Sequence, residues 1–121
     1  LETVKNSYNS YVMDSLALEV GTASMNDEEY FRECVGKVIA TRERVREELI
    51  ALGFDVKKSA TNFLFATHNK YSAKEIFEYL KTKKIFIRYF NIPRIDNHLR
   101  ITVGTDEEMD KMIAAMKEFF I

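Results

Sequence analysis

Two arginines, Arg88 and Arg100, are the residues of this sequence best suited to chemistry with an anion. A guanidinium fork grips a carboxylate or phosphate through paired N–H donors, so two forks brought together make a clamp. Their settings allow it. In the strand Ile85 to Phe90, Ile85, Ile87 and Tyr89 point one way while Phe86, Arg88 and Phe90 point the other, because strand side chains alternate. In the strand Leu99 to Gly104, Leu99, Ile101 and Val103 form the core-facing set, leaving His98, Arg100 and Thr102 on the opposite face. If the two strands form an antiparallel hairpin through the loop around Pro93 and Arg94, a register centred near residue 94 puts Arg88 directly across from Arg100. Like charges facing each other across a sheet cost about 0.2–1 kcal/mol, and a bound anion reverses that sign. The alternative keeps both arginines solvated or paired with Asp96 or Asp106. An arginine between Ile87 and Tyr89 also fits an edge-strand solubility device.

Other chemistry-bearing residues have blander explanations. His68 and His98 are far apart and have no Cys or carboxylate at metal-ligand spacing, so they read as loop or strand-end residues. Cys34 lies beside the apolar stripe of a helix, where a small, partly buried residue is ordinary. The run Thr41 to Glu48 carries acids and bases at helical spacing and reads as a solvated helix face. The methionines fall mostly at core spacing in the last helix.

The elements that must position the arginines follow from periodicity and capping signals. Met13, Leu16, Ala17, Val20 and Ala23 predict a short helix from Val12 to Ala23, with Ser10 as its cap. Asn26 and Glu29 read as a capping box for a long helix through about Leu52, with a stripe of Phe31, Val35, Val38, Val45, Leu49 and Leu52. Gly53 closes it in the left-handed position after the helix. Two extended pieces follow, Phe54 to Lys57 and Asn62 to Thr67, the second reading as a buried strand. Ser72 with Glu75, and Thr105 with Glu108, are capping boxes for two further helices. The first of these turns Ile76, Phe77 and Leu80 inward, and the second Met109, Met112, Ile113, Met116 and Phe120. This order predicts an α+β fold in which helices cover one face of a small, mostly antiparallel sheet. We expect one domain over residues 1–121, with 1–26 a connecting segment and short helix and 27–121 the α+β body.

Composition excludes several function classes. Eighteen Lys and Arg stand against nineteen Asp and Glu, a net charge of −1, so no global field draws the chain to nucleic acid or an anionic membrane. One cysteine excludes an internal disulfide and, without any apolar run of membrane-spanning length, suggests a reducing, cytoplasmic setting. The sequence opens at Leu1 without a signal-peptide pattern, as though cut from a longer chain in a connecting segment.

Four segments carry a resemblance: Val4 to Tyr11 (VKNSYNSY), Thr61 to Phe65 (TNFLF), Ile87 to Phe90 (IRYF) and Leu99 to Thr105 (LRITVGT). In order and spacing they resemble the C-terminal small domain of the histidinol-phosphate aminotransferases, within the fold-type I pyridoxal-phosphate enzymes. Val12 departs from that pattern, since many relatives have proline there. The resemblance implies a homodimer in which a large domain holds pyridoxal phosphate and this domain closes over the substrate. It implies amino transfer between histidinol phosphate and the glutamate/2-oxoglutarate pair, in histidine biosynthesis. Arg100 matches the arginine that holds the substrate's anionic group, and Arg88 matches a second that helps with the phosphate. No lysine here has the Ser-Lys context of the family's Schiff-base lysine, so the chain alone is expected to bind no cofactor and to be inactive. Tyr8, Tyr11 and Phe90 are expected to meet other parts of the full enzyme. A threonine-phosphate decarboxylase or an aromatic aminotransferase would present a similar domain. From other classes, a stand-alone module sensing an anionic metabolite through Arg88 and Arg100, or a purely structural interaction domain, stays open.

Overall fold

The computed structural model describes residues 2–3 and 13–120, so the Val4 to Tyr11 segment, with Ser10, Tyr8 and Tyr11, lies outside the described residues. The chain divides into two units, Leu1–Cys34 and Val35–Ile121, and the division falls inside a helix.

In the first unit, helix α1 (Ser15–Asn26) is capped by Asp14, whose carboxylate accepts the Ala17 N–H at 2.7 Å. Helix α2 (Glu28–Ala51) starts at Asp27, whose carboxylate accepts the Tyr30 N–H at 3.2 Å. The capping box expected at Asn26 is therefore displaced by one residue. Asn26 stays inside α1, and the neighbouring aspartate, charged and favoured at a helix N-terminus, takes the cap. The helical periodicity of α1 is real, yet none of its residues is buried, and Leu16 is 71% exposed. Phe31, at the start of the α2 stripe, is exposed as well.

In the second unit the same stripe becomes core, with Val45 and Leu49 fully buried. Gly53 follows α2 at φ +94°, the left-handed closure expected from the sequence. A Cβ there would also come within 2.9 Å of His68 Nε2. The strands are β1 (Phe54–Val56), β2 (Phe63–His68), β3 (Arg88–Tyr89) and β4 (Leu99–Thr102), in sheet order β1-β2-β4-β3, every pair antiparallel. Helix α3 (Ala73–Thr82) lies between β2 and β3 in the chain, and helix α4 (Asp106–Phe119) follows β4. Both expected capping boxes form: the Glu75 carboxylate accepts the Ser72 N–H at 3.1 Å and that of Glu108 the Thr105 N–H at 2.9 Å. Ile76 and Leu80 from α3 and Met112 and Met116 from α4 meet Leu64, Leu99 and Ile101 from the sheet in one core cluster.

Three local expectations change. The strand expected over Ile85 to Phe90 ladders only at Arg88 and Tyr89, because Lys84 turns at φ +61° and the Ile85 N–H bonds back to the Leu80 carbonyl at 2.9 Å. That closure holds 85–87 to the end of α3. The strand expected to reach Gly104 stops at Thr102, and the Val103 N–H bonds to the Asn62 carbonyl instead. The Thr41 to Glu48 run is more than a solvated face, since Thr41 and Arg42 are buried. Arg42 Nη1 donates to the Thr61 carbonyl at 2.9 Å, anchoring the loop before β2. Arg44 donates to Glu48, Asp106 and Asp110 at 2.7–2.8 Å, and Thr41 Oγ1 donates to Asp106 at 2.9 Å, which ties α2 to the start of α4.

Candidate functional site

The sheet has one covered face and one open face, and the site is on the open one. In β4, Leu99 and Ile101 are buried while Arg100 is half-buried and Thr102 exposed. In β2, Leu64, Ala66 and His68 are buried while Phe63, Phe65 and Thr67 are half-buried. Alternation therefore delivers Phe63, Phe65, His98, Arg100 and Thr102 to one surface, and Arg88 joins them from β3. The pairing places Arg88 opposite Arg100 and Phe65 opposite Arg100 on the other side. The facing register expected from strand parity is the one observed.

Aromatic rings surround the two guanidinium groups. Arg100 Cζ lies 5.3 Å from the Phe63 ring centroid and 5.9 Å from that of Phe90, and Arg88 Cζ lies 5.5 Å from the Phe90 centroid. Next to them Phe65 and His98 stack at 4.6 Å with an interplanar angle of 10°. Arg100 Nε and His98 Nδ1 are buried atoms without a hydrogen-bond partner. Among the described residues no carboxylate forms an ion pair with Arg88 or Arg100. Asp106, one of the partners considered from sequence, is engaged by Arg44 and Thr41, which hold its carboxyl below the usual carboxylate range. Like charges thus face each other beside a buried, unpartnered N–H, an arrangement that an anionic ligand would complete.

The remaining candidates lie elsewhere. His68 sits on the covered face of β2, where Nδ1 accepts the Lys70 and Tyr71 N–H groups at 3.0 and 3.3 Å. Its Nε2, 3.2 Å from the Leu52 carbonyl, is then the donor, so the ring staples the end of α2 to the turn after β2. Cys34 is half-buried in the first unit. Among the described residues no group of three or more His, Cys, Asp or Glu could hold a metal ion. Two clefts, of about 370 and 320 Å³, exclude both arginines; the larger lies between Ile85–Ile87 and α4, and the smaller beside His68.

Sequence reasoning placed His98 on the face of Arg100 but missed Phe63 and Phe65 as companions of the arginines. The signal was the same alternation that found Arg100: with Leu64 and Ala66 inward, Phe63 and Phe65 must face outward. Reading the segment as uniformly buried hid it.

Comparison with known proteins agrees with this architecture. Histidinol-phosphate aminotransferases of Lactococcus lactis subsp. cremoris and of a Marinomonas species are 50% and 52% identical to the chain over 119 residues. Those matches cover 98% and 97% of this chain, but only 33% and 34% of the relatives, so the chain spans about a third of their length. Among solved structures, histidinol-phosphate aminotransferase from Sinorhizobium meliloti in complex with pyridoxal-5'-phosphate superposes with a TM-score of 0.83 at 26% identity. That superposition covers 98% of this chain and 33% of the other. The fold is shared too with the Clostridium acetobutylicum histidinol-phosphate aminotransferase, at TM-score 0.82 and 22% identity over 98% of this chain and 37% of that one. Aminotransferase class I and II is the family whose pattern matches residues 1–116, and this chain belongs to it.

Proposed function

We propose that the chain is the small-domain portion of a histidinol-phosphate:2-oxoglutarate aminotransferase, and that Arg88 and Arg100 hold the anionic group of its substrates. The carrying observation is the register that sets two arginines without carboxylate partners face to face on the open side of the sheet. Relatives at 50% and 52% identity favour histidinol phosphate over the substrates of a threonine-phosphate decarboxylase or an aromatic aminotransferase. The family match over residues 1–116 disfavours a stand-alone sensing module.

Among the described residues, the arginine face does not form a Schiff-base site. The open face carries arginine, histidine, threonine and phenylalanine but no lysine, and Lys57, Lys83 and Lys111 are each paired with a carboxylate. With no lysine in the Ser-Lys context of the family, pyridoxal phosphate in the full-length enzyme would be held by residues outside this chain. What the chain contributes is orientation: a two-point grip on phosphate or carboxylate fixes the reacting end of the substrate at a set distance. The partly exposed face that carries Arg88, Arg100 and Thr102 suits an element that closes against the rest of the enzyme, and a homodimer of the full-length protein accords with this. One cysteine and a net charge of −1 fit a cytoplasmic protein without nucleic-acid or membrane partners; no described helix is long and apolar enough to cross a membrane.

Steady-state kinetics of the full-length enzyme test the assignment. Arg100→Gln is expected to lower kcat/KM for histidinol phosphate by about 100-fold, the scale of losing a charge-assisted pair. Unchanged kinetics in a folded variant would remove Arg100 from the site.

A further inference from the structure

A single ring lies within reach of both guanidinium groups: the Phe90 centroid is 5.5 Å from Arg88 Cζ and 5.9 Å from Arg100 Cζ. Phe90 directly follows β3 and is half-buried. The face of an aromatic ring is negative and attracts a cation, so this ring offsets part of the repulsion that the Arg88–Arg100 register imposes. A guanidinium packed on a ring also keeps the N–H donors in its own plane available to a ligand.

We propose that Phe90 is a positioning residue that holds Arg88 and Arg100 at the spacing at which both address one phosphoryl group. The inference rests on the reading of the two arginines as an anion clamp and adds a residue whose side chain has no hydrogen-bonding group. Without the ring the guanidinium groups separate to relieve their repulsion, and the anion must draw them back together on binding. Aromatic character is what the position requires, rather than volume.

The test is a titration of inorganic phosphate into the 121-residue chain, followed through the Nε–Hε NMR signals of Arg88 and Arg100. Phe90→Tyr keeps the ring face and should bind as the unsubstituted chain does. Phe90→Leu fills much of the space without the ring and is expected to bind about fivefold more weakly, the scale of one cation–π contact. Pentafluorophenylalanine at position 90 preserves the packing but reverses the charge of the ring face, so it tests the same point should Phe90→Leu unfold the chain. It should weaken phosphate at least as much. Phosphate affinity unchanged by the fluorinated ring would overturn the proposal, as would a Phe90→Leu variant that melts earlier yet binds phosphate normally. Failure of the unsubstituted chain to shift either arginine signal would instead sink the clamp itself.

Discussion

The molecule contains two arginine clusters that differ in their partners. On α2, Arg44 meets three carboxylates, from Glu48, Asp106 and Asp110, and its own pKa is held above the usual arginine value chiefly by the Asp106 hydrogen bond. On the sheet, Arg88 and Arg100 meet each other and aromatic rings, with no carboxylate among the described residues. Partnership separates the two. A cation whose counter-charges are built into the fold fastens helices, whereas facing cations left without them are, on the proposed reading, a place for an external anion.

Substitutions should divide along the same line. The largest stability effect is expected on the covered face: Leu64→Ala removes a fully buried side chain and should destabilise by about 2–5 kcal/mol in chemical denaturation. Arg100→Gln, one strand away on the open face, should leave the melting temperature within a few degrees while abolishing most phosphate affinity. A large loss of stability there would break the contrast between the faces. Gly53→Ala comes next, at about 1–2 kcal/mol in the same denaturation experiment, because φ +94° and the approach to His68 both oppose a Cβ. Arg44→Gln should cost below about 1 kcal/mol, since the network is solvent-exposed, and should leave phosphate binding intact. The smallest effect is on pH. The folded carboxyl of Asp106 is depressed, first by Arg44 and then by Thr41, so its contribution is present above its unfolded pKa and lost as pH falls through the folded one. An acid melt of Asp106→Asn should accordingly be less pH-dependent below pH about 4 than that of the unsubstituted chain.

Much of this arrangement was legible in the sequence, for reasons that differ along the chain. Capping boxes at Ser72 and Thr105 are local signals and appeared where expected. The Arg88–Arg100 register was legible because alternation and one hairpin loop leave few ways to pair the strands. The length of β3 was not, because it depends on Lys84 closing α3 and drawing the Ile85 N–H back to Leu80. Periodicity located α1 as a helix, but it reports which residues share a face, not whether anything covers that face. The docking role of Arg42 and Arg44 depends on Thr61, Asp106 and Asp110, partners too distant in sequence for helical spacing to indicate.

A crystal structure of the chain grown in sulfate or phosphate addresses the central claim most directly, paired with one of Arg100→Gln grown in the same buffer. One anion bridging the Arg88 and Arg100 guanidinium groups, and absent from the variant, is the predicted result. Guanidinium groups that separate to bind different anions, or that turn to carboxylates such as Asp96, would contradict it.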